Sequence, residues 1–254
     1  MKAVIVIPAR FASTRLPGKM LLEAGGKSLI QPTYERAREV RSAARVIVAT
    51  DDARIEAAVK GIGGEAIMTD PTHSSGSARA AEAARGLDAD IIVNLQGDEP
   101  EIVPAAIDRL IALQRAHKPF ASTLACPFAL GARPEDPSAV KAVLGKNIDG
   151  ADAHEALYFT RALAPYPRDA KGAVDPSQFH LHIGVYAFRA DALQAFARAP
   201  ESRLEKIERL EQLRILEMGE RLLALLVDAA APGIDTPEDF DAFKRRAEKR
   251  QRQA

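Results

Sequence analysis

Val4-Ile5-Val6-Ile7-Pro8-Ala9-Arg10-Phe11-Ala12-Ser13-Thr14-Arg15-Leu16-Pro17-Gly18-Lys19 is the stretch on which the fold turns. Its first four residues are an unbroken apolar, β-branched run, which suits a strand covered on both faces. The run leads straight into Arg10 with no small-residue cleavage site, so it reads as a first strand rather than a signal peptide. The loop that follows carries three cations, Arg10, Arg15 and Lys19, two hydroxyls, and Gly18, which permits close backbone approach. In doubly wound sheets ligands lie beyond the carboxyl ends of the strands, which puts this loop where a nucleotide would sit. Three cations with no acid between them repel one another unless an anion such as a triphosphate is bound. A solvated basic loop is the equal alternative on composition alone. Neither a P-loop lysine motif nor Gly-x-Gly-x-x-Gly occurs here, which argues against a P-loop enzyme and a Rossmann dehydrogenase.

Outward from this strand, residues 45–50 and 91–95 repeat the buried-strand type. Residues 33–41, 52–60 and 78–85 read as helices, with Asp51 and Asp52 both able to cap the second. Strands alternating with helices predict an α/β fold, doubly wound around a mainly parallel nucleotide-binding sheet, over about residues 1–118. From about 119 to 190 the strand-like runs 120–124, 140–143, 155–160 and 181–188 follow one another without helices, which predicts an inserted strand-rich lobe of mixed or antiparallel pairing. The closing part, about 191–254, reads as one long helix over 201–219, a strand over 222–227 and a last helix over 237–250. The long helix would carry Leu204, Ile207, Leu210, Leu213 and Leu216 on one face and stop at Gly219. With no repeat and no low-complexity linker, the 254 residues read as a single domain.

Composition narrows the function. Hydrophobic residues at 47% and charged residues at 28% are the balance of a soluble globular chain able to bury a core. Lys plus Arg (35) equals Asp plus Glu (35), so a general nucleic-acid binder, which depends on excess positive charge, is disfavoured. A lone cysteine, Cys126, cannot make an internal disulfide or a multi-cysteine metal site and reads as a small core hydrophobe. No apolar run approaches the ~18 residues of a membrane span. A cytoplasmic protein without membrane or nucleic-acid partners is expected.

Two acidic blocks complement the basic loop. In Asn94-Leu95-Gln96-Gly97-Asp98-Glu99-Pro100, Asp98 falls at the carboxyl end of a strand, on the edge that carries the basic loop. A carboxylate facing a triphosphate calls for a hard cation between them, and Mg2+ is the usual one. Taken alone, the block reads better as a plain turn, since Gly-Asp and Glu-Pro are good turn pairs. In Asp235-Thr236-Pro237-Glu238-Asp239, Thr236 reads as an N-cap, Pro237 as the first helical residue and the acids as its first turn. That assignment leaves the Asp235 carboxylate uncommitted.

Together these blocks resemble the 3-deoxy-manno-octulosonate (Kdo) cytidylyltransferases, the CMP-Kdo synthetases. The resemblance continues through His73-Ser74-Ser75-Gly76-Ser77, Leu157-Tyr158-Phe159-Thr160-Arg161-Ala162, His182-Ile183-Gly184-Val185-Tyr186, Leu210-Glu211-Gln212-Leu213-Arg214 and Gly233 to Asp239. It implies a nucleotide-diphospho-sugar transferase fold and a reaction in which CTP and Kdo give CMP-Kdo and pyrophosphate for lipopolysaccharide assembly. By the same resemblance Pro8, Ala9, Arg10, Ser13, Arg15, Lys19, Ser75, Gly76, Ser77 and Arg79 bind the nucleotide. Lys19, Asp98 and Asp235 are catalytic, with Asp98 and Asp235 as Mg2+ ligands. Gln96, Arg161, His182, Tyr186, Glu211 and Gln212 grip the 2-keto sugar acid. The strand-rich lobe resembles the family's dimerisation region, which implies a homodimer. Departures fall at Ala78, where the family carries an acid, at Ser138 and at Leu163; they bear on the sugar acceptor more than on the reaction class.

Blander readings stand beside these. Glu211 and Gln212 could be the polar face of a helix, His182 and Tyr186 a core pair on one strand face, and Arg161 a surface ion pair. His117, His154 and His180 have no motif around them. Other activities weighed are a cytidylyltransferase for a related 2-keto sugar acid (an 8-amino analogue or a sialic acid) and a non-catalytic nucleotide-sugar-binding protein. The second has no need of the Asp98, Asp235 and Lys19 set.

Overall fold

Residues 1–13, 16–148, 150, 152–168 and 174–251 are described by the structure, a computed structural model. They fall into two compact units, one from Met1–Asp108 and Ala231–Ala254, the other Arg109–Ala230.

The first unit opens with β1 (Ala3–Ala9), a 3-10 turn at Lys19–Leu21 and a short hairpin of β2 (Glu23–Ala24) and β3 (Lys27–Ser28). Then come α1 (Ile30–Arg38), β4 (Ala43–Thr50), α2 (Ala53–Gly61), β5 (Glu65–Met68), α3 (Gly76–Ala83) and β6 (Ile91–Asn94). Within it the strands order β5-β4-β1-β6, every pair parallel. Val4, Ile5, Val6 and Ile7 are wholly buried, as a strand covered on both faces requires. At roughly 1.5–3 kcal/mol per fully buried side chain, β1 is a firm anchor for the loop that leaves it. The chain builds outward from β1 to β4 and β5, then returns to the other side of β1 as β6. That reversal opens a crevice at the carboxyl ends of β1 and β6. Asp52 caps α2 by accepting from the Arg54 amide at 2.9 Å, and Ser75 caps α3 through the Ala78 amide.

α4 (Pro104–His117) contains the boundary between the units. The second unit continues with β7 (Ala121–Pro127), β8 (Lys141–Ile148), β9 (Ala153–Thr160), β10 (His180–Arg189), α5 (Ala190–Arg198), α6 (Arg203–Glu208), α7 (Leu213–Glu217) and β11 (Leu222–Leu226). Its strands order β10-β7-β11-β9-β8, and only β7–β11 is parallel; the strands from the 119–190 stretch pair with one another antiparallel, one of the two pairings expected there.

The single helix expected over 201–219 is a correction. Two short helices stand there, α6 and α7, parted by Arg209 in the left-handed region at φ 53. Ile207, expected on the buried stripe, is 65% exposed. The break has a polar cause. Arg161 takes the carbonyls of Glu208 (2.7 Å) and Arg209 (3.4 Å) that a continuing helix would use. Arg214 meanwhile folds α7 back onto α6 by pairing with buried Glu205 at 2.5 and 2.7 Å.

The last helix, α8 (Pro237–Gln251), returns to the first unit. Ile234 and Phe243 pack with Ala24 and Leu29, and Arg246 and Arg250 close on Glu101. Thr236 caps α8 as expected. Its hydroxyl accepts from the Asp239 amide at 3.2 Å, and the Asp239 carboxylate accepts in return from the amides of Thr236 and Asp235.

Candidate active site

At the carboxyl edge of β1, the chain turns through Gly18, whose φ of 66 suits a residue without Cβ, and drives Lys19 inward. The loop after β6 supplies Asp98, and the approach to α8 supplies Asp235, held beside it by the Ile234 amide donating to the Asp98 carbonyl at 3.1 Å. Lys19 is 6% exposed, and its Nζ lies 2.5 Å from Asp98 Oδ2 and 3.3 Å from Asp235 Oδ1. The structure thus joins three residues from distant parts of the sequence into one constellation. It also corrects the expectation that the Asp235 carboxylate stands uncommitted, because Lys19 donates to it.

Glu99 adds an acid that sequence reasoning passed over as part of a turn. Burial, reinforced by the charges of Asp98 and Asp235, pushes its carboxyl up to about 8, so it is mostly protonated at neutral pH. The only signal for it in the sequence is an acid held between Asp98 and Pro100.

An ammonium lying between two carboxylates occupies the position of a cation, and hard oxygen donors are what Mg2+ prefers. Among the described residues no group of three or more His, Cys, Asp or Glu side chains gathers into a cage. Two carboxylates with phosphate oxygens completing the shell is the arrangement Mg2+ commonly takes, so Asp98 and Asp235 fit it.

The basic loop borders a hollow of about 250 Å³ lined by Arg10, Phe11, Ala12, Ser13, Pro17 and Gly18. Arg10 is exposed there, while Ser13 Oγ accepts from the Leu16 amide at 3.3 Å. Arg15 lies outside the described residues. Pro8 and Ala9 are the buried end of β1. Side chains in the 75–79 segment are committed inside the protein. Ser75 caps α3, Ser77 accepts from Asn94 at 3.2 Å, and Arg79 reaches Asp51 at 2.7 Å and Thr69 at 2.5 Å. What this segment offers a ligand is therefore chiefly backbone. A Cβ on Gly76 would stand 3.2 Å from Pro8 and 3.3 Å from the Gln96 amide, so Gln96 lies with the nucleotide-segment residues.

The other residues assigned to the sugar acid lie in the second unit. Tyr186 is buried and lies tilted against His182 with ring centroids 5.6 Å apart; Phe159 meets His182 edge-on at 4.8 Å. Thr123 gives its hydroxyl proton to the Val185 carbonyl at 2.8 Å, so His182 Nε2 is the donor at 3.0 Å. The opposite ring nitrogen then accepts from Gln212 at 3.5 Å. Enclosure of this neutral ring pushes its pKa down to about 3. Burial, with the Glu211 charge, pushes the Tyr186 hydroxyl well above its usual range. Among the described residues Arg161 has no carboxylate partner for its guanidinium. It donates to the carbonyls of Glu208, Pro137 and Arg209, which leaves part of its five-donor fork for a ligand. Lys141, wholly buried, supports the same turn through the Arg161 carbonyl at 2.6 Å.

A parallel α/β sheet with a lysine and two carboxylates at its carboxyl edge defines a nucleotidyl-transfer class, and the chain belongs to the cytidylyltransferase family, whose model matches residues 4–222. Within that family it groups with the 3-deoxy-manno-octulosonate cytidylyltransferases. It is 48% identical over 254 residues to the one from Rhodopirellula baltica, covering 98% of this chain and 99% of that protein. It is 45% identical over 236 residues to the one from Escherichia coli, covering 93% and 92%. A solved CMP:2-keto-3-deoxy-manno-octonic acid synthetase complexed with CTP superposes with a TM-score of 0.89 at 43% identity, covering 98% of this chain and 100% of that one. A cytidylyltransferase from Leptospira borgpetersenii, 19% identical at a TM-score of 0.61 over 96% of this chain and 85% of that one, shares the fold.

Proposed function

We propose that this chain transfers the cytidylyl group of CTP to 3-deoxy-D-manno-octulosonate, giving CMP-Kdo and pyrophosphate. The observation that carries the reading is Lys19 buried between Asp98 and Asp235, in a chain similar along nearly its whole length to enzymes of that name. Neither a non-catalytic binder nor another keto-sugar acid is favoured by those relatives.

The sugar's anomeric hydroxyl attacks the α-phosphorus and gives up its proton to water; a new P–O bond forms, the α–β bridging bond breaks, and pyrophosphate leaves with the bridging oxygen. Arg10 and Lys19, together with Arg15 as the resemblance implies, hold the triphosphate in line and balance its charge. Asp98 and Asp235 would hold Mg2+, which when bound lowers the pKa of the attacking hydroxyl and screens the phosphates. Arg161 meets the sugar carboxylate with its remaining donors, and Tyr186, held beside the neutral His182 ring, offers a hydrogen bond without charge. We further propose a Mg2+-dependent, homodimeric enzyme acting in the cytoplasm. Among the described residues no helix is long and apolar enough to cross a membrane.

Pyrophosphate release from CTP and Kdo, with and without Mg2+, tests the reading. Turnover with CTP well above that with UTP or ATP is expected, since a site built for one set of donors rejects the wrong base. Equal use of UTP, or a sialic acid outpacing Kdo, would overturn it.

A further inference from the structure

Asp51 and Arg79 join the end of β4 to the loop that leaves β1, all within the first unit. Arg79 is 2% exposed and rises from the first turns of α3. Its guanidinium donates to Asp51 Oδ2 at 2.7 Å and to Thr69 Oγ1 at 2.5 Å. Thr69 is fixed in turn, its amide and hydroxyl both donating to the Thr50 carbonyl, at 2.8 and 3.0 Å. The second oxygen of Asp51 accepts from the amide of Phe11 at 3.3 Å, one residue past Arg10. The Phe11 ring is held on two sides. Arg54 lies over it with its guanidinium carbon 3.6 Å from the ring centroid, and a Cβ on Gly18 would touch it at 3.4 Å. Arg54 is itself fixed by Asp52 at 2.9 and 2.7 Å.

Neighbouring acids at the end of β4 therefore do different work. Asp52 caps α2, and Asp51 pins the basic loop at its first turn, with Arg79 locking Asp51 in place. We infer that Asp51 and Arg79 are positioning residues for the triphosphate: they set the start of the basic loop at Arg10 and Phe11 and tie it to α3, whose first residues border Pro8 and Gln96. This deepens the cytidylyltransferase reading and rests on it. Arg79 acts through Asp51 rather than by touching the nucleotide.

The test compares CTP, which needs the loop, with CMP, which lacks the β- and γ-phosphates, by calorimetric titration of the full chain. Asp51→Asn keeps size and shape, but its amide nitrogen must face one of two donors, the Phe11 amide or the Arg79 guanidinium, so one link breaks. Loss of CTP affinity by about tenfold with CMP affinity changed less than about twofold is expected, since small misplacements of phosphate-binding groups cost affinity and rate steeply. Arg79→Lys should show the same split more weakly, because an ammonium cannot grip Asp51 and Thr69 in a fixed fork. Parallel loss of CTP and CMP, or no loss of either, would overturn the inference and leave the pair a fold element only. A wild-type chain that binds UTP as well as CTP would overturn the cytidylyltransferase reading instead, and this inference with it.

Discussion

Lys19→Met separates the two duties the structure gives Lys19, as a counter-ion in the free protein and as a ligand for phosphate. The Lys19 side chain is 7% exposed, against 28% for Asp98 and 54% for Asp235. Removing one partner from a fully buried ion pair costs roughly 3–5 kcal/mol, because the survivors are left charged and dry. Both survivors here keep contact with water, which cuts that figure, and Met fills the volume of the lysine stem. A cost of about 2 kcal/mol without divalent metal follows, or roughly 4–8 °C in Tm for a chain of this size. The loss should be recoverable. Asp98 and Asp235 without their ammonium form an open pair of hard donors, and a cation that binds only the folded chain stabilises it. At a concentration ten times its Kd that amounts to about 1.4 kcal/mol. Melting curves of both proteins in 0 to ~20 mM MgCl2, with KCl matched for ionic strength, measure it. The variant's Tm should rise with Mg2+ by several degrees more than the wild type's, while CTP affinity falls. A variant as stable as wild type, or one indifferent to Mg2+, would refute the assignment of Asp98 and Asp235 as a cation site held by Lys19.

Thr236→Ala should cost about 1 kcal/mol through the lost cap, with substantial turnover retained. Asp235→Asn should cost under ~1 kcal/mol, since the carboxylate is more than half exposed, while Mg2+-dependent turnover collapses; unfolding of the second mutant would make the residue structural. His182, held neutral with a pKa of about 3 against an ordinary 6.5, contributes stability that is fully present above pH 6.5 and lost as pH falls from 6.5 toward 3, because only the unfolded chain takes the proton readily. Denaturant titrations of wild type and His182→Gln at pH 7.5 and 5.5 should show their stability difference shrinking at the lower pH, with a ceiling near 1.4 kcal/mol per pH unit. Arg161→Ala should lower Tm as well as raise the KM for the sugar acid, as three carbonyls lose a charged donor; an unchanged sugar KM beside a raised CTP KM would place Arg161 on the other substrate.

Period and composition made the first unit legible. Residues 4–7, 46–49 and 91–93 are apolar runs of the kind a sheet covered on both faces accommodates, and β1, β4 and β6 stand there. Thr236, Pro237 and Asp239 likewise announced a helix start through local chemistry alone. What stayed illegible depends on partners far away in sequence. The break between α6 and α7 is made by Arg161 and by the Glu205–Arg214 pair, none of which disturbs the leucine spacing that suggested one helix. The same holds for Asp235, whose carboxylate looked unused because its partner, Lys19, lies 216 positions earlier. Asp51 and Asp52 are indistinguishable as caps on paper, and only the arrival of Arg79 and Phe11 separates them.

That separation of 216 positions gives the site a direction in time. A ribosome adding about 5–20 residues per second needs roughly 10–40 s to go from Lys19 to Asp235. Once Asp98 has been added, 79 positions after Lys19, the emerging chain contains the basic loop and the first carboxylate. It lacks both the second carboxylate and the helix whose arginines clasp Glu101. The growing chain therefore gains the cations of the site well before it can complete the pair of acids.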